Sequence, residues 1–183
     1  ALVVDGQVEA AAEEERFTRR KHGKLPVLRA TWELPEQSAA WCLAEAGLSP
    51  EDLDAVAYSY DPALAPPAGP DVTADAWEGL RTLYAERAPL FLRTALPGLD
   101  PACVRYVPHH VAHAASAHLA APFRDSSVLV LDGRGEAASH LAGRSVDGDL
   151  EILAAQQLPH SLGLLYEEVT DHLGFRRSSD EYK

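Results

Sequence analysis

Four of the eight histidines in this sequence fall within ten consecutive residues, 109–118, which read HHVAHAASAH. On a helix, His109 and His113 are one turn apart and share a face, an arrangement that chelates metal ions. Imidazole nitrogens at this spacing suit zinc or ferrous iron, and a carboxylate from another element would complete the ligand set. The segment therefore predicts a metal site, although capping or surface histidines on an alanine-rich helix remain the alternative.

A zinc-protease interpretation of the same segment fails on its residue order. The H-E-x-x-H motif requires a glutamate directly after the first histidine as general base. His110 occupies that position here. The small residues between the histidines keep the predicted helix thin, so a ligand or a neighbouring backbone can approach it.

A second candidate segment, residues 128–136, reads VLVLDGRGE and is predicted as a buried strand followed by an acid and two glycines. Asp132 would lie at the carboxyl end of the strand, where ligands bind in open α/β sheets. We therefore expect Asp132 to be the third metal ligand. Gly133 and Gly135 would let backbone N–H groups approach a phosphate, which makes them and the following Glu136 candidate cofactor-binding residues. The alternative is a simple turn after a strand.

An acidic run next to a basic run occupies residues 13–22, which read EEERFTRRKH. Such a segment is usually solvated and pairs with itself. If its basic half faces the site, Lys21 suits a phosphate or a carboxylate because its ammonium group is a compact charge.

The elements that position these residues follow from hydrophobic periodicity and turn signals. Asp5-Gly6 predicts a hairpin between strands at 1–4 and 7–15, although the small-residue tail of the second strand could equally be helical. Pro35 and Gly47 bracket one helix, and Gly174 ends another. Residues 61–71 predict a loop or an insertion, and 72–95 a helix in two pieces separated at Pro89. The remaining predicted elements are strands at 54–59, 104–107, 127–132, 137–143 and 150–155 and helices at 109–120 and 161–173.

Composition excludes several classes of protein. The net charge of −12 argues against nonspecific nucleic-acid binding, which requires a basic surface. No apolar run approaches the roughly 20 residues that cross a bilayer. Two cysteines without a C-x-x-C pair suit a reducing cytoplasm. We expect a soluble cytoplasmic α/β protein.

Together, the segments EEERFTRRKH, HHVAHAASA, VLDGRGE and the tail from Pro159 to Lys183 resemble the O-carbamoyltransferases of the nodulation-protein-U and cephamycin-carbamoyltransferase type. The resemblance implies a ribonuclease-H-like, two-lobed α/β fold, as in actin and sugar kinases. Residues 1–125 would form most of the first lobe, with an insertion at about 61–100, and 126–183 the start of the second.

The resemblance also implies a chemistry. A second domain would make carbamoyl adenylate from carbamoyl phosphate and ATP, and this domain would pass the carbamoyl group to a hydroxyl of a small-molecule acceptor, as in antibiotic biosynthesis. His109, His113 and Asp132 would bind the metal, Fe(II) in this family, which would polarise the carbamoyl carbonyl or orient the acceptor oxygen. The expected catalytic residues are Lys21, which would neutralise phosphate charge, and His110. The expected cofactor-binding residues near the nucleotide are Gly133, Gly135, Glu136, Glu181 and Lys183.

Departures from the family pattern leave alternatives open. The family's opening strand and its later metal-binding acid are missing, and there is no methionine. We therefore expect a fragment of a longer protein that is inactive by itself. A tRNA threonylcarbamoyl transferase is one alternative enzyme, and a metal-binding module without catalysis is another class. The sequence names neither the acceptor nor the oligomeric state, for which a homodimer is one option.

Overall fold

The computed structural model describes residues 1–20, 34–66 and 75–176. It is a mixed α/β structure with five α-helices and seven strands in these ranges. The strands pair in three small sheets, in the orders β1–β2, β3–β4 and β5–β6–β7. The helices are α1 (Glu15–Thr18), α2 (Glu36–Glu45), α3 (Asp75–Ala95), α4 (His109–His118) and α5 (Leu162–His172). The strands are β1 (Leu2–Val4), β2 (Gln7–Ala10), β3 (Val56–Tyr58), β4 (Val104–Tyr106), β5 (Asp125–Leu131), β6 (Ala138–Val146) and β7 (Asp149–Gln157).

The chain divides into two compact units, residues 1–57 with 69–105 and residues 58–68 with 106–183. The ribonuclease-H-like fold and its two lobes stay predictions. Among the described residues, none of the helices combines the length and the apolar character that crossing a membrane requires.

The first unit opens with the predicted hairpin. Asp5 and Gly6 both have positive φ, 49° and 78°, as a two-residue type I′ turn requires. The second strand was predicted to reach residue 15, but it ends at Ala10 and the short helix α1 follows. Leu2 and Ala10 of the hairpin pack against Cys42 and Leu43 of α2 in a buried cluster.

Helix α3 corrects the prediction of two helical pieces, because it continues through Pro89 without a break. Proline removes one backbone hydrogen bond and clashes with the preceding turn. The helix nevertheless has one continuous buried face on both sides of the proline. Burial of this face offsets the local cost of the proline. Its residues are Ala85, Ala88 and Leu92.

The second unit is organised around the antiparallel sheet β5–β6–β7, with β6 in the centre. Helix α4 covers one face of this sheet, where Ala114 packs in a buried cluster with three sheet residues. The opposite face carries exposed leucines, Leu129 and Leu131 of β5. The turn between β6 and β7 has positive φ at Asp147 and Gly148. The three sheet residues of the cluster are Val128, Val130 and Leu141.

Candidate metal centre

Helix α4 begins at His109, directly after Pro108. Proline at this position has a φ of −53° and no N–H to satisfy, so it suits the start of a helix. Residues four apart on α4, His110, Ala114 and His118, are buried on the face towards the sheet. The same periodicity leaves His109 and His113 on the adjacent face, one turn apart, as the sequence predicts.

The aspartate that follows β5 meets these two histidines. The Nε2 atom of His109 lies 2.8 Å from Oδ2 of Asp132 and 3.1 Å from Nε2 of His113. The third distance, from His113 Nε2 to Asp132 Oδ2, is 3.6 Å. Within the described ranges, these three residues form a group whose potential ligand atoms all lie within 4.8 Å of one another.

The chemistry of these donors fits a cation. The Nδ1 atom of His109 lies 3.0 Å from the carbonyl oxygen of Ser59, which can only accept, so Nδ1 carries the proton. In the neutral ring, Nε2 then presents a lone pair to a carboxylate oxygen and to a second imidazole nitrogen. Electron-rich atoms this close repel one another unless they share a cation or Nε2 carries an additional proton. Donors about 2.1 Å from one tetrahedral metal ion lie about 3.4 Å apart, close to the observed spacings.

The electrostatics of Asp132 keep it ionised. Burial alone would raise its pKa, but two hydrogen bonds lower it to about 2: one from His109 when its Nε2 carries the additional proton, and one from the Gly133 N–H at 2.6 Å. Its side chain is 29% exposed, so the site is open to solvent on one side. Asp132 is therefore available as a carboxylate ligand at neutral pH.

His110 lies beneath the three candidate ligands. Its side chain is 6% exposed, and Nε2 lies 3.5 Å from Asp132 Oδ2. Within the described part of the chain, this buried Nε2 has no hydrogen-bond partner. Burial lowers the pKa of His110, more than the charge of Asp132 raises it. His110 is thus a neutral imidazole against the carboxylate, and its predicted catalytic role stays a prediction.

The two glycines after Asp132 have different surroundings. A Cβ on Gly135 would lie 2.8 Å from Cε1 of His110, so this glycine makes room for the buried imidazole. A Cβ on Gly133 would meet no atom within 4 Å. Gly133 is therefore the one of the two that leaves free space for an approaching ligand, and cofactor binding stays a prediction for both.

The first turn of helix α5 contacts the turn at Asp132 and Gly133. Its N-cap Ser161 donates from Oγ to the carbonyl oxygens of Asp132 and Gly133, at 3.1 Å and 2.7 Å, and accepts from the Leu164 N–H. A Cβ on Gly163 would lie 2.5 Å from the Gly133 Cα atom. The first turn of α5 thus packs directly on the Asp132–Gly133 backbone, and sequence reasoning did not single out these contacts.

Glu136 is buried, at 8% exposure, and its Oε1 atom accepts two backbone hydrogen bonds. The donors are the N–H groups of His109, at 2.9 Å, and Asp61, at 2.7 Å.

A second glutamate, Glu14 of the acidic run, caps helix α2 by accepting from the Gln37 and Ser38 N–H groups, at 3.2 Å and 2.8 Å. Three predicted site residues, Lys21, Glu181 and Lys183, lie outside the described residues.

The fold and the site describe an α/β protein with a two-histidine, one-carboxylate group beside a glycine-containing turn. Residues 81–183, more than half of the chain, match the family model for the carbamoyltransferase N-terminus. The chain belongs to this family, which confirms the resemblance seen in the sequence. The histidine segment and the Asp132 turn both lie within the matched residues.

The chain is also similar along its whole length to individual proteins. The chain is 35% identical over 199 residues to the uncharacterized protein sll1178 of Synechocystis sp., covering all of this chain and 31% of that protein. It is 35% identical over 191 residues to the nodulation protein NolNO of Sinorhizobium fredii, covering all of this chain and 26% of that protein. The chain thus spans between a quarter and a third of the length of these two relatives.

Proposed function

We propose that the protein transfers a carbamoyl group from carbamoyl phosphate, by way of carbamoyl adenylate made with ATP, to a hydroxyl of a small-molecule acceptor. The observation that carries the proposal is the convergence of His109, His113 and Asp132 in a chain of the carbamoyltransferase N-terminus family. We also propose that the chain has a ribonuclease-H-like fold and that the acceptor is a small molecule of antibiotic biosynthesis. Two buried free cysteines, Cys42 and Cys103, support a reducing cytoplasm as its location.

His109, His113 and Asp132 would hold one divalent metal ion, Fe(II) or a similar ion. Two imidazoles and one carboxylate are the donor set of non-haem Fe(II) sites and also suit zinc. When bound, the ion supplies a Lewis acid for a carbonyl or hydroxyl oxygen. The chain's own contribution is orientation: the Ser59 carbonyl holds the Nδ1 proton of His109 and leaves its Nε2 for the metal.

The turn that carries Asp132 would receive the adenylate. The open space at Gly133 supports this role, because no atom lies within 4 Å of the position that a side chain would occupy there, which leaves room for a ligand against the turn. Lys21 would neutralise phosphate charge, and Glu181 and Lys183 would lie near the nucleotide.

The test uses this chain within a full-length protein that includes the expected second domain, purified and loaded with Fe(II), with ATP, carbamoyl phosphate and a panel of hydroxyl acceptors. We expect carbamoylated acceptor together with AMP, detected by mass spectrometry, and loss of both products in the His113→Ala variant. His172→Ala, which removes an exposed histidine of α5, is the matched control and should keep activity. Metal binding without product from any acceptor would instead favour a module without catalysis, and product from tRNA alone would favour a tRNA-modifying enzyme.

A further inference from the structure

Glu136 is a buried carboxylate that joins two segments distant in the sequence. Its Oε1 atom accepts the His109 N–H at 2.9 Å and the Asp61 N–H at 2.7 Å. The two donors are 27 and 75 positions away from the glutamate along the chain. One carboxylate oxygen therefore holds the first residue of α4 against the segment that follows β3.

Both segments control the same imidazole. His109 carries the Nε2 atom that faces Asp132 and His113. Ser59, two residues before Asp61, offers the carbonyl oxygen that lies 3.0 Å from the Nδ1 atom of His109. The contacts form a closed ring, because Glu136 holds the backbone of the histidine and also the segment that orients its side chain.

We propose that Glu136 is a positioning residue for the metal centre, which sets the rotation and the protonated nitrogen of the His109 ring through its two backbone contacts. This inference rests on the proposed function, since it assigns Glu136 a role at the metal site of that proposal. It differs from the sequence-based expectation that Glu136 binds a cofactor. Its Oε1 atom accepts two N–H groups of the chain itself, so both lone pairs of that oxygen already serve to hold the two segments.

The energetics favour a carboxylate at this position. Hydrogen bonds from N–H groups to an ionised acceptor are stronger than those to a neutral one. A negative charge next to the first N–H of a helix also interacts favourably with the helix dipole. Residues that orient metal ligands typically change metal affinity about 10–100-fold when mutated.

The experiment compares Glu136→Ala, Glu136→Gln and Glu136→Asp in the full chain by titration with Co(II), whose visible absorption reports ligand geometry. We expect Glu136→Ala to weaken Co(II) binding about 10–100-fold and to change the absorption spectrum. Glu136→Gln should bind within a few-fold of wild type, because one amide oxygen accepts two N–H bonds. Glu151→Ala is the matched control, since it removes an exposed carboxylate that pairs with Arg144, and it should leave binding unchanged.

Amide hydrogen exchange provides a second readout that needs no metal. The His109 and Asp61 N–H groups should exchange at least about tenfold faster in Glu136→Ala than in wild type. If Glu136→Ala does not fold, the Glu136→Asp variant provides the test. Its side chain is one methylene shorter, so it should bind Co(II) more weakly than wild type, whereas Glu136→Gln should keep its affinity. Equal Co(II) affinity and spectrum in wild type, Glu136→Ala and Glu136→Asp would overturn this inference alone. A wild-type protein without Co(II) binding would overturn the proposed metal site and the inference with it.

Discussion

The Nε2 atom of His109 lies 2.8 Å from the Oδ2 atom of Asp132, although the two residues are 23 positions apart. One begins helix α4 and the other directly follows strand β5. Their contact depends on the packing of α4 on the sheet, in which Ala114 is fully buried between the helix and the strands. The candidate metal centre is therefore a product of helix–sheet packing, and changes that disturb this packing should affect metal binding.

Removal of one imidazole should abolish tight metal binding. We expect His113→Ala to weaken Zn(II) or Co(II) binding by more than about 100-fold. Changes to residues that only orient a ligand weaken metal binding by about 10–100-fold, and loss of a ligand itself should cost more. Isothermal titration measures the affinity, and His172→Ala, which changes an exposed histidine of α5, is the control. Equal affinities of the two variants would contradict the assigned ligands.

Alanine at Gly163 should destabilise the protein, because the new Cβ would lie 2.5 Å from backbone atoms of Gly133 and no side-chain rotation relieves that contact. Overpacking of this kind costs about 1–3 kcal/mol. The measurement is the free energy of unfolding in urea. A Gly163→Ala variant as stable as wild type would show that α5 does not pack on this turn.

Alanine at Gly133 should have a different effect, since its Cβ meets no atom within 4 Å. We expect the Gly133→Ala variant to fold with wild-type stability but to bind nucleotide about tenfold more weakly if a phosphate approaches this turn. Equilibrium binding of ATP to the full chain tests the second part. Unchanged affinity would remove Gly133 from the proposed nucleotide site.

The buried His110 should make stability depend on pH. Burial lowers its pKa below the ordinary value of 6.5, so the unfolded state takes up a proton that the folded state does not. The free energy of unfolding should therefore fall as the pH falls below about 6.5. His110→Gln, which does not titrate, should lose less stability over this range. Urea unfolding between pH 5.5 and 7.5 with EDTA present makes the comparison, and parallel curves would contradict it.

The cap that Glu14 provides for α2 should contribute to stability. Its two carboxylate oxygens accept the Gln37 and Ser38 N–H groups, at 3.2 Å and 2.8 Å. Glu14→Ala should lower the free energy of unfolding by about 1 kcal/mol, as loss of a helix cap usually does. Glu9→Ala, in the exposed part of β2, is the matched control. Equal melting temperatures for the two variants would show that the cap is energetically unimportant.

Sequence reasoning was accurate where local geometry decides. The helix that contains His109 and His113, the strand that ends before Asp132 and the turn at Asp5-Gly6 all follow from residue periodicity and turn chemistry over a few positions. The prediction failed at Pro89, because the buried face that keeps α3 continuous arises from packing against other elements. It failed also for the end of β2, after which the chain turns into α1.

By itself, the sequence determined that two histidines share one helical face and that an acid follows a strand, because these relations depend on backbone geometry between near neighbours. Only the tertiary structure decided that Asp132 reaches His109, that Ser59 holds the Nδ1 proton and that Glu136 accepts from His109 and Asp61. Such contacts join residues that are 23 to 75 positions apart. Their distances depend on how helix α4, the sheet and the loops pack, which no local pattern specifies.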